Sequence, residues 1–225
     1  MSGRMSGDVT GDVSEGQVRA ALIAAVRQLD ASGLNRGSTG NASHRWAAGM
    51  LITPTGMGAE MQTEDLVFVA DDGSVQGRWQ PSSEWSLHRA VYRARPDVQA
   101  LLHTHAVHAT ALGCLGRALP AFHYMVALAG GHDVPLVPYA IFGSEALSEG
   151  VATALRQRDA CLLAQHGLVS CGRSMAQALK LMVEVESLCQ TYLLALAVGE
   201  PALLEADEMA GVLDKFRHYG QPGGR

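Results

Sequence analysis

The stretch LLHTHAVHAT, residues 101–110, sets His103 and His105 two residues apart behind a pair of leucines. On a β-strand, residues i and i+2 point to the same face, so this spacing can offer two imidazoles to one ion. A catalytic zinc takes three protein ligands and keeps one position open for water or substrate, so a third ligand must come from elsewhere. His166 in AQHGLV fits best, because it ends an apolar run and Gly167 leaves room beside its ring. Singly, each of these histidines has a plainer reading as a satisfied core or surface residue; the two motifs together make the case for a metal. His108 falls at the wrong distance for the same face and is expected on a following helix. His44, His88, His123, His132 and His218 have no ligand spacing.

The elements that must carry these residues are legible from periodicity. Ser14 with Gln17 three residues on forms a capping box, and Val18, Leu22, Ala25, Val26 and Leu29 then recur with helical period as far as Gly33. NRGSTGNASHRW reads as a loop of small residues, and MLITPTGMG as a short strand ending in a turn. DLVFVADDGSVQGRW predicts a hairpin closed by Asp72-Gly73, and PSSEWSLHRAVYRARPD a helix that stops before Pro96. VQALLHTHAVHATAL runs from strand into helix, VPLVPYAIFG is a further strand and turn, and residues 144–158 form a helix. ACLLAQHGLVSCG is read as two buried strands broken at His166-Gly167, and Ser174 with Gln177 opens a long helix to about Val198. Strands and helices alternate without a strict βαβ rhythm, which predicts an α/β fold with a mixed, mainly antiparallel sheet flanked by helices.

Hydroxyls and small residues at three of the turns expose backbone N–H groups. Ser82 and Ser83 also lie at a helix start, where free N–H groups and the positive dipole end favour an anion. None of these turns matches a Walker or dinucleotide motif, and each singly reads as a cap or a hairpin.

A chain of 225 residues, 48% of them hydrophobic, suits one domain, expected over residues 14–219 between flexible tails at 1–13 and 220–225. The net charge of -5 comes with no basic block, which argues against nucleic acid as a partner. The first residues are polar and glycine-rich, unlike a signal peptide, and no window is apolar enough to span a membrane. A soluble, cytoplasmic protein is therefore expected. Cys114, Cys161, Cys171 and Cys189 show no framework spacing and read as reduced core thiols.

The ordered set GNAS, LITPTGM, PSSEW, HTHAVH, HYMVALAGG, YAIFGS and QHGLV resembles the class II aldolase/adducin family, especially its L-fuculose-phosphate aldolases. The resemblance implies a nine-stranded, mostly antiparallel sheet and one zinc per subunit on His103, His105 and His166. It implies that Gly40, Asn41, Thr55, Gly56, Ser82 and Ser83 cradle a substrate phosphate and that Glu84 is the catalytic acid/base. Glu84 alone would be read as an acidic residue favouring a helix N-terminus. Beside zinc, which polarises a chelated carbonyl, a carboxylate can instead move the proton that an enediolate requires.

Tyr124 corresponds to a tyrosine that reaches into a neighbouring subunit's site to give a proton to the aldehyde oxygen, and Tyr219 to one that closes over the substrate. Phe142 is a candidate wall of the aldehyde pocket, together with Met57, with core packing as the rival reading. The implied assembly is a homotetramer with sites between subunits. The implied reaction is zinc-dependent, reversible cleavage of a ketose 1-phosphate into dihydroxyacetone phosphate and an aldehyde. Candidate substrates are L-fuculose, 5-deoxyribulose and 5-methylthioribulose 1-phosphates. A lysine Schiff base is disfavoured, because Lys180 and Lys215 both lie on ordinary surface helices. The alternatives on the same scaffold are a sugar-phosphate epimerase, a methylthioribulose-phosphate dehydratase, a keto-acid-phosphate decarboxylase, or a non-catalytic adducin-like interaction domain.

Overall fold

The computed structural model describes residues 13–218, so the expected tails, Val13 apart, lie outside the described residues, as does Tyr219. Helix α1 (Glu15–Ala31) starts at the anticipated capping box, with Ser14 Oγ accepting from the Gln17 N–H and the Gln17 side chain accepting from the Ser14 N–H. Four strands follow: β1 (Asn41–Trp46), β2 (Gly49–Ile52), β3 (Val67–Ala70) and β4 (Val75–Gln76). Strand β1 occupies part of the segment expected to be a loop. The β3–β4 hairpin turns at Asp72 and Gly73, where the Asp72 carboxylate accepts from the Ser74 N–H.

Helix α2 (Trp85–Ala94) ends before Pro96, and β5 (Ala100–Thr104) leads into α3 (Val107–Cys114). Then come β6 (Leu136–Val137), α4 (Glu145–Ala154), β7 (Ala160–Leu163), β8 (Gly167–Gly172), α5 (Met175–Leu196) and α6 (Ala206–Arg217).

The eight strands form one sheet in the order β4-β3-β2-β1-β5-β8-β7-β6. All neighbours are antiparallel except β6 and β7. The expected mixed, mainly antiparallel architecture is present, with eight strands among the described residues where the resemblance implied nine. No helix among them is long and apolar enough to cross a membrane.

Both faces of the sheet are covered, so its central strands are apolar on both sides and period-2 alternation sorts them between two cores. Ala100 and Leu102 of β5, Leu162 of β7 and Leu168 of β8 pack towards α1, α3 and α5. Leu101, Cys161, Leu163 and Val169 pack towards α2 and α4. By the same alternation His103 follows Leu101 onto the α2 side. Each buried leucine contributes about 1.5–3 kcal/mol relative to exposure, and a one-residue slip of β5 or β8 would push each set into the opposite core, whose packing its volumes do not match.

The start of α3 is fixed from a distance. Ala106 at its N-cap has no side chain to cap with, and the Glu186 carboxylate of α5 accepts from the His108 N–H at 2.9 Å and the Ala109 N–H at 2.8 Å instead. His108 also meets Glu186 through Nδ1. It therefore sits on the helix, as expected, and the same contact anchors the chain immediately after His105.

Candidate active site

His103 lies on the central strand β5, hydrogen-bonded on one side to β1, where it faces Asn41, and on the other to β8, where it faces Val169. His105 lies just beyond the end of β5, still in the alternation that begins at Leu101, so the two-residue spacing works although the strand has ended. His166 is in the turn between β7 and β8. Gln165 before it has φ +51°, and Gly167 after it is required by space, because a Cβ there would sit 2.3 Å from the Thr104 carbonyl and 3.1 Å from the His103 ring. The three rings gather edge to face with centroids 4.8–5.1 Å apart. One ring nitrogen of each lies within 4.8 Å of the others.

The hydrogen bonding shows which way the His103 ring faces. A carbonyl oxygen only accepts, so His103 Nδ1 carries a proton and donates to the Leu168 carbonyl at 3.1 Å. Its Nε2 is then a lone pair, fully buried and without a partner. Burial, and then the neighbouring His166 and His105, hold the His103 pKa well below the ordinary histidine value, and burial lowers that of His105 as well. Neutral imidazoles with free lone pairs are the form that ligates a metal.

Glu84 caps the N-terminal end of α2 in sequence position but not in chemistry. Its carboxylate makes no cap hydrogen bond; it turns inward and accepts from Asn41 Nδ2 at 3.0 Å. Glu84 Oε2 is 3.3 Å from His103 Nε2, and Oε1 is 3.5 Å from His166 Nε2. Oε1 is also buried without a partner. A carboxylate facing an imidazole lone pair at that distance out of water is repulsive unless a cation lies between them. The donor set and its two orphaned atoms therefore fit a divalent ion.

His105, His166 and Glu84 line a cleft of about 370 Å³, with His103 buried behind them, and the cleft also includes Gly40, Asn41, Thr55, Gly56, Ser82, Ser83 and Phe142. Gly40 has φ +75°, and a Cβ on it would lie 2.5 Å from the His103 carbonyl, so this turn can approach β5 only as glycine. An isolated bridge between Pro54 and Pro81 holds the other two turns together, with Thr55 N–H donating to the Gln80 carbonyl and Ser82 N–H to that of Thr53. Ser82 Oγ accepts from the Glu84 N–H at 3.3 Å, which ties this turn to the start of α2. Beyond the expected residues, Ser38, Thr39, Tyr139, Ala140 and Gln165 also line the cleft. A second cleft, about 270 Å³, is lined by Arg95, Asp97 and Asp159, whose charges already pair with one another.

Two expected residues are elsewhere. Tyr124 stands outside its own chain's cleft, half exposed, stacked on His123 with Phe216 nearby. Met57 does not reach the cleft; it packs against the α1-side core, because the turn after Gly56 folds back under α1.

His88, to which the sequence lent no role, is fully buried on α2 one turn after Glu84 and bonds to Asn41 and Ser43. Its signal was the i,i+4 spacing from Glu84, which puts both on one helix face. Burial pushes the His88 pKa down to about 3. An unfolded histidine protonates near 6.5, so between about pH 6.5 and 3 the unfolded chain binds the extra proton. Stability from this group is whole above about pH 6.5 and is lost as pH falls towards 3. Denaturant unfolding of metal-free protein at pH 7 and pH 5 is expected to show about 2 kcal/mol more acid destabilisation in the wild type than in His88→Phe. Equal pH dependence would mean that His88 is not held neutral.

Residues 20–193 match the model of the Class II Aldolase and Adducin N-terminal domain. The chain is 48% identical over 204 residues to a 5-methylthioribulose-1-phosphate/5-deoxyribulose-1-phosphate aldolase of Rhodospirillum rubrum, covering 90% of this chain and 92% of that one. It is also 48% identical over 201 residues to an L-fuculose phosphate aldolase of Escherichia coli, covering 88% and 94%. A solved L-fuculose 1-phosphate aldolase superposes with a TM-score of 0.87 at 36% identity, over 92% of this chain and 99% of that one. The chain that builds this histidine cluster and cleft belongs to the class II aldolase and adducin family.

Proposed function

We propose that the protein is a metal-dependent aldehyde-lyase that reversibly cleaves ketose 1-phosphates into dihydroxyacetone phosphate and an aldehyde, with zinc held by His103, His105 and His166. The observation that carries this reading is the pair of buried, unpartnered atoms, Glu84 Oε1 on a residue that lines the cleft and His103 Nε2 just behind it, below a rim of anion-seeking turns. The similarity to aldolases of three 1-phosphate sugars supports the substrate class. A divalent ion there supplies Lewis acidity towards the substrate carbonyl and its neighbouring hydroxyl.

The chain's own residues do the rest. The N–H groups of Gly56 and Ser83 and the hydroxyls of Thr55 and Ser83 make no hydrogen bond among the described residues, which leaves them free for phosphate oxygens at the start of α2. The Asn41 amide binds Glu84, so Asn41 serves the phosphate with its remaining amide hydrogen or not at all. Glu84 Oε1, unbonded and facing the cleft, exchanges a proton with the carbon that is left electron-rich when the carbon–carbon bond breaks. Phe142, 65% exposed at the mouth, and Tyr139 beside it form the wall for the aldehyde tail.

Tyr124 serves a neighbouring subunit in a homotetramer, giving a proton to the aldehyde oxygen in the addition direction. Its exposure away from its own cleft is what supports that placement. A cytoplasmic setting goes with the reading and suits four free cysteines.

A panel of sugar phosphates tests the assignment. Contacts with an apolar tail discriminate weakly, by about 1–3 kcal/mol per methylene, so L-fuculose, 5-deoxyribulose and 5-methylthioribulose 1-phosphates should all release dihydroxyacetone phosphate at rates set by tail fit. Unphosphorylated L-fuculose should react poorly. Equal efficiency with the free sugar, or turnover of a 5-phosphate without release of dihydroxyacetone phosphate, would overturn the aldolase reading.

A further inference from the structure

Behind Glu84, on the side away from the cleft, a single file of buried polar side chains runs through otherwise apolar packing between β1 and α2. Its members are Asn41, His88, Ser43 and Tyr92, all buried. Asn41 and Ser43 alternate on one face of β1, while Glu84, His88 and Tyr92 stand at four-residue steps on one face of α2. The two periods bring them into contact in the order Glu84, Asn41, His88, Ser43, Tyr92.

The direction of every hydrogen bond in the file follows from its Glu84 end. Asn41 turns its Nδ2 amine to Glu84 Oε2 at 3.0 Å, and an amide amine only donates. Asn41 Oδ1 therefore faces His88 Nε2 and must accept, which puts the ring proton on Nε2. Burial keeps this ring neutral, with a single ring proton. Nδ1 is then a lone pair and accepts from the Ser43 hydroxyl at 2.6 Å. With its proton so used, Ser43 Oγ accepts from the Tyr92 hydroxyl at 2.8 Å, a much shorter contact than that hydroxyl's other acceptor, the Gln99 carbonyl at 3.5 Å. All the donors point towards the carboxylate. The opposite tautomer would turn the Asn41 amide over and set its oxygen against Glu84, two acceptors face to face in a dry site.

We infer that His88, as its Nε2–H tautomer, is a positioning residue: it locks the Asn41 amide so that Glu84 is held by Oε2 and presents Oε1 to the substrate. Its catalytic consequence rests on the aldolase reading, whereas the direction of the file does not. A file that merely satisfied buried polar groups could run in the same direction, but its loss from a folded protein would leave kcat unmoved. This one ends on the single carboxylate that lines the cleft among the described residues and leaves that carboxylate one oxygen without a hydrogen bond.

Two measurements on the intact protein separate these cases. Nitrogen-15 NMR of the histidine rings is expected to show His88 protonated on Nε2 and bare on Nδ1 in the folded wild type. A proton on Nδ1 instead would overturn the inference whatever the enzyme's reaction. In kinetics, His88→Phe keeps the ring's bulk and removes the lock, and is expected to lower kcat about 10- to 100-fold. Metal content should be unchanged and KM within about twofold. His88→Gln, which retains an N–H towards Asn41, should recover most of that loss. Should His88→Phe fail to fold, Ser43→Ala removes the donor to Nδ1 and should mix the tautomers and lower kcat in the same direction. Unchanged kcat in a folded variant without the lock, or His88→Gln no better than His88→Phe, would reduce the file to packing. A wild type that releases no dihydroxyacetone phosphate from any 1-phosphate would instead fail the aldolase reading, and the ring proton would still decide the direction of the file.

Discussion

Glu84→Gln is expected to keep its metal and to turn over about two to four powers of ten more slowly than the wild type. That is about 3–5 kcal/mol of transition-state stabilisation lost by exchanging one oxygen for an amine. The surroundings dictate which oxygen is exchanged. Asn41 Nδ2 donates to Oε2 and so requires an oxygen there, and the glutamine amine must take the place of Oε1. The atom that faces the cleft then becomes a donor with no basicity, while the shape and the Asn41 contact survive. Phosphate and metal anchors are untouched, so KM should move little and the loss should fall on kcat. Steady-state kinetics with metal analysis of the same samples make the measurement. Unchanged turnover would return Glu84 to the role of an ordinary residue at a helix end.

The sequence made the metal cluster and the cleft legible to unequal degrees, for physical reasons. HxH and QHG were readable because strand alternation is a local rule, and the structure places all three rings together although His105 lies past the last residue of β5. The room inferred beside His166 is real, since any side chain at 167 would collide with the Thr104 carbonyl. The turns carrying Gly40, Thr55 and Ser82 looked like separate loops, and no local signal showed that the Pro54–Pro81 bridge gathers two of them into one rim.

Strand β1 looks like a loop in the sequence because its inward residues include Asn41 and Ser43, polar side chains that a hydrophobic pattern does not count. They are buried because His88 and Tyr92 satisfy them, and that pairing spans more than forty residues of chain. The same blindness hid His88, whose partners lie on another element. Met57 went the other way: a large apolar residue after a glycine turn suits a pocket wall or a core equally, and only the path of the chain under α1 decides for the core.

Loss of one imidazole should remove the metal altogether. His166→Ala and His103→Ala are each expected to fall from about one zinc per chain to nearly none, and aldol cleavage should fall with it, because two remaining nitrogens are fewer than a catalytic zinc site uses. His166→Ala is the cleaner of the two, since His103 is packed at the centre of the sheet and its removal also leaves a cavity. His108→Ala serves as the control: His108 bonds to Glu186, outside the cluster, and should keep its metal.

Folding supplies a readout independent of activity. Metal-free protein must hold the Glu84 carboxylate against the lone pair of His103 Nε2 without a counter-charge, so an ion that binds there stabilises the native state by mass action. At a free zinc concentration about a thousandfold above Kd the gain is about 4 kcal/mol. Thermal and denaturant unfolding with and without zinc should show that gain in the wild type and in His108→Ala, and none in His166→Ala. If His166→Ala kept full occupancy and the same stabilisation by zinc, the ion would have to sit elsewhere, and the three rings would be packing against one another and nothing more.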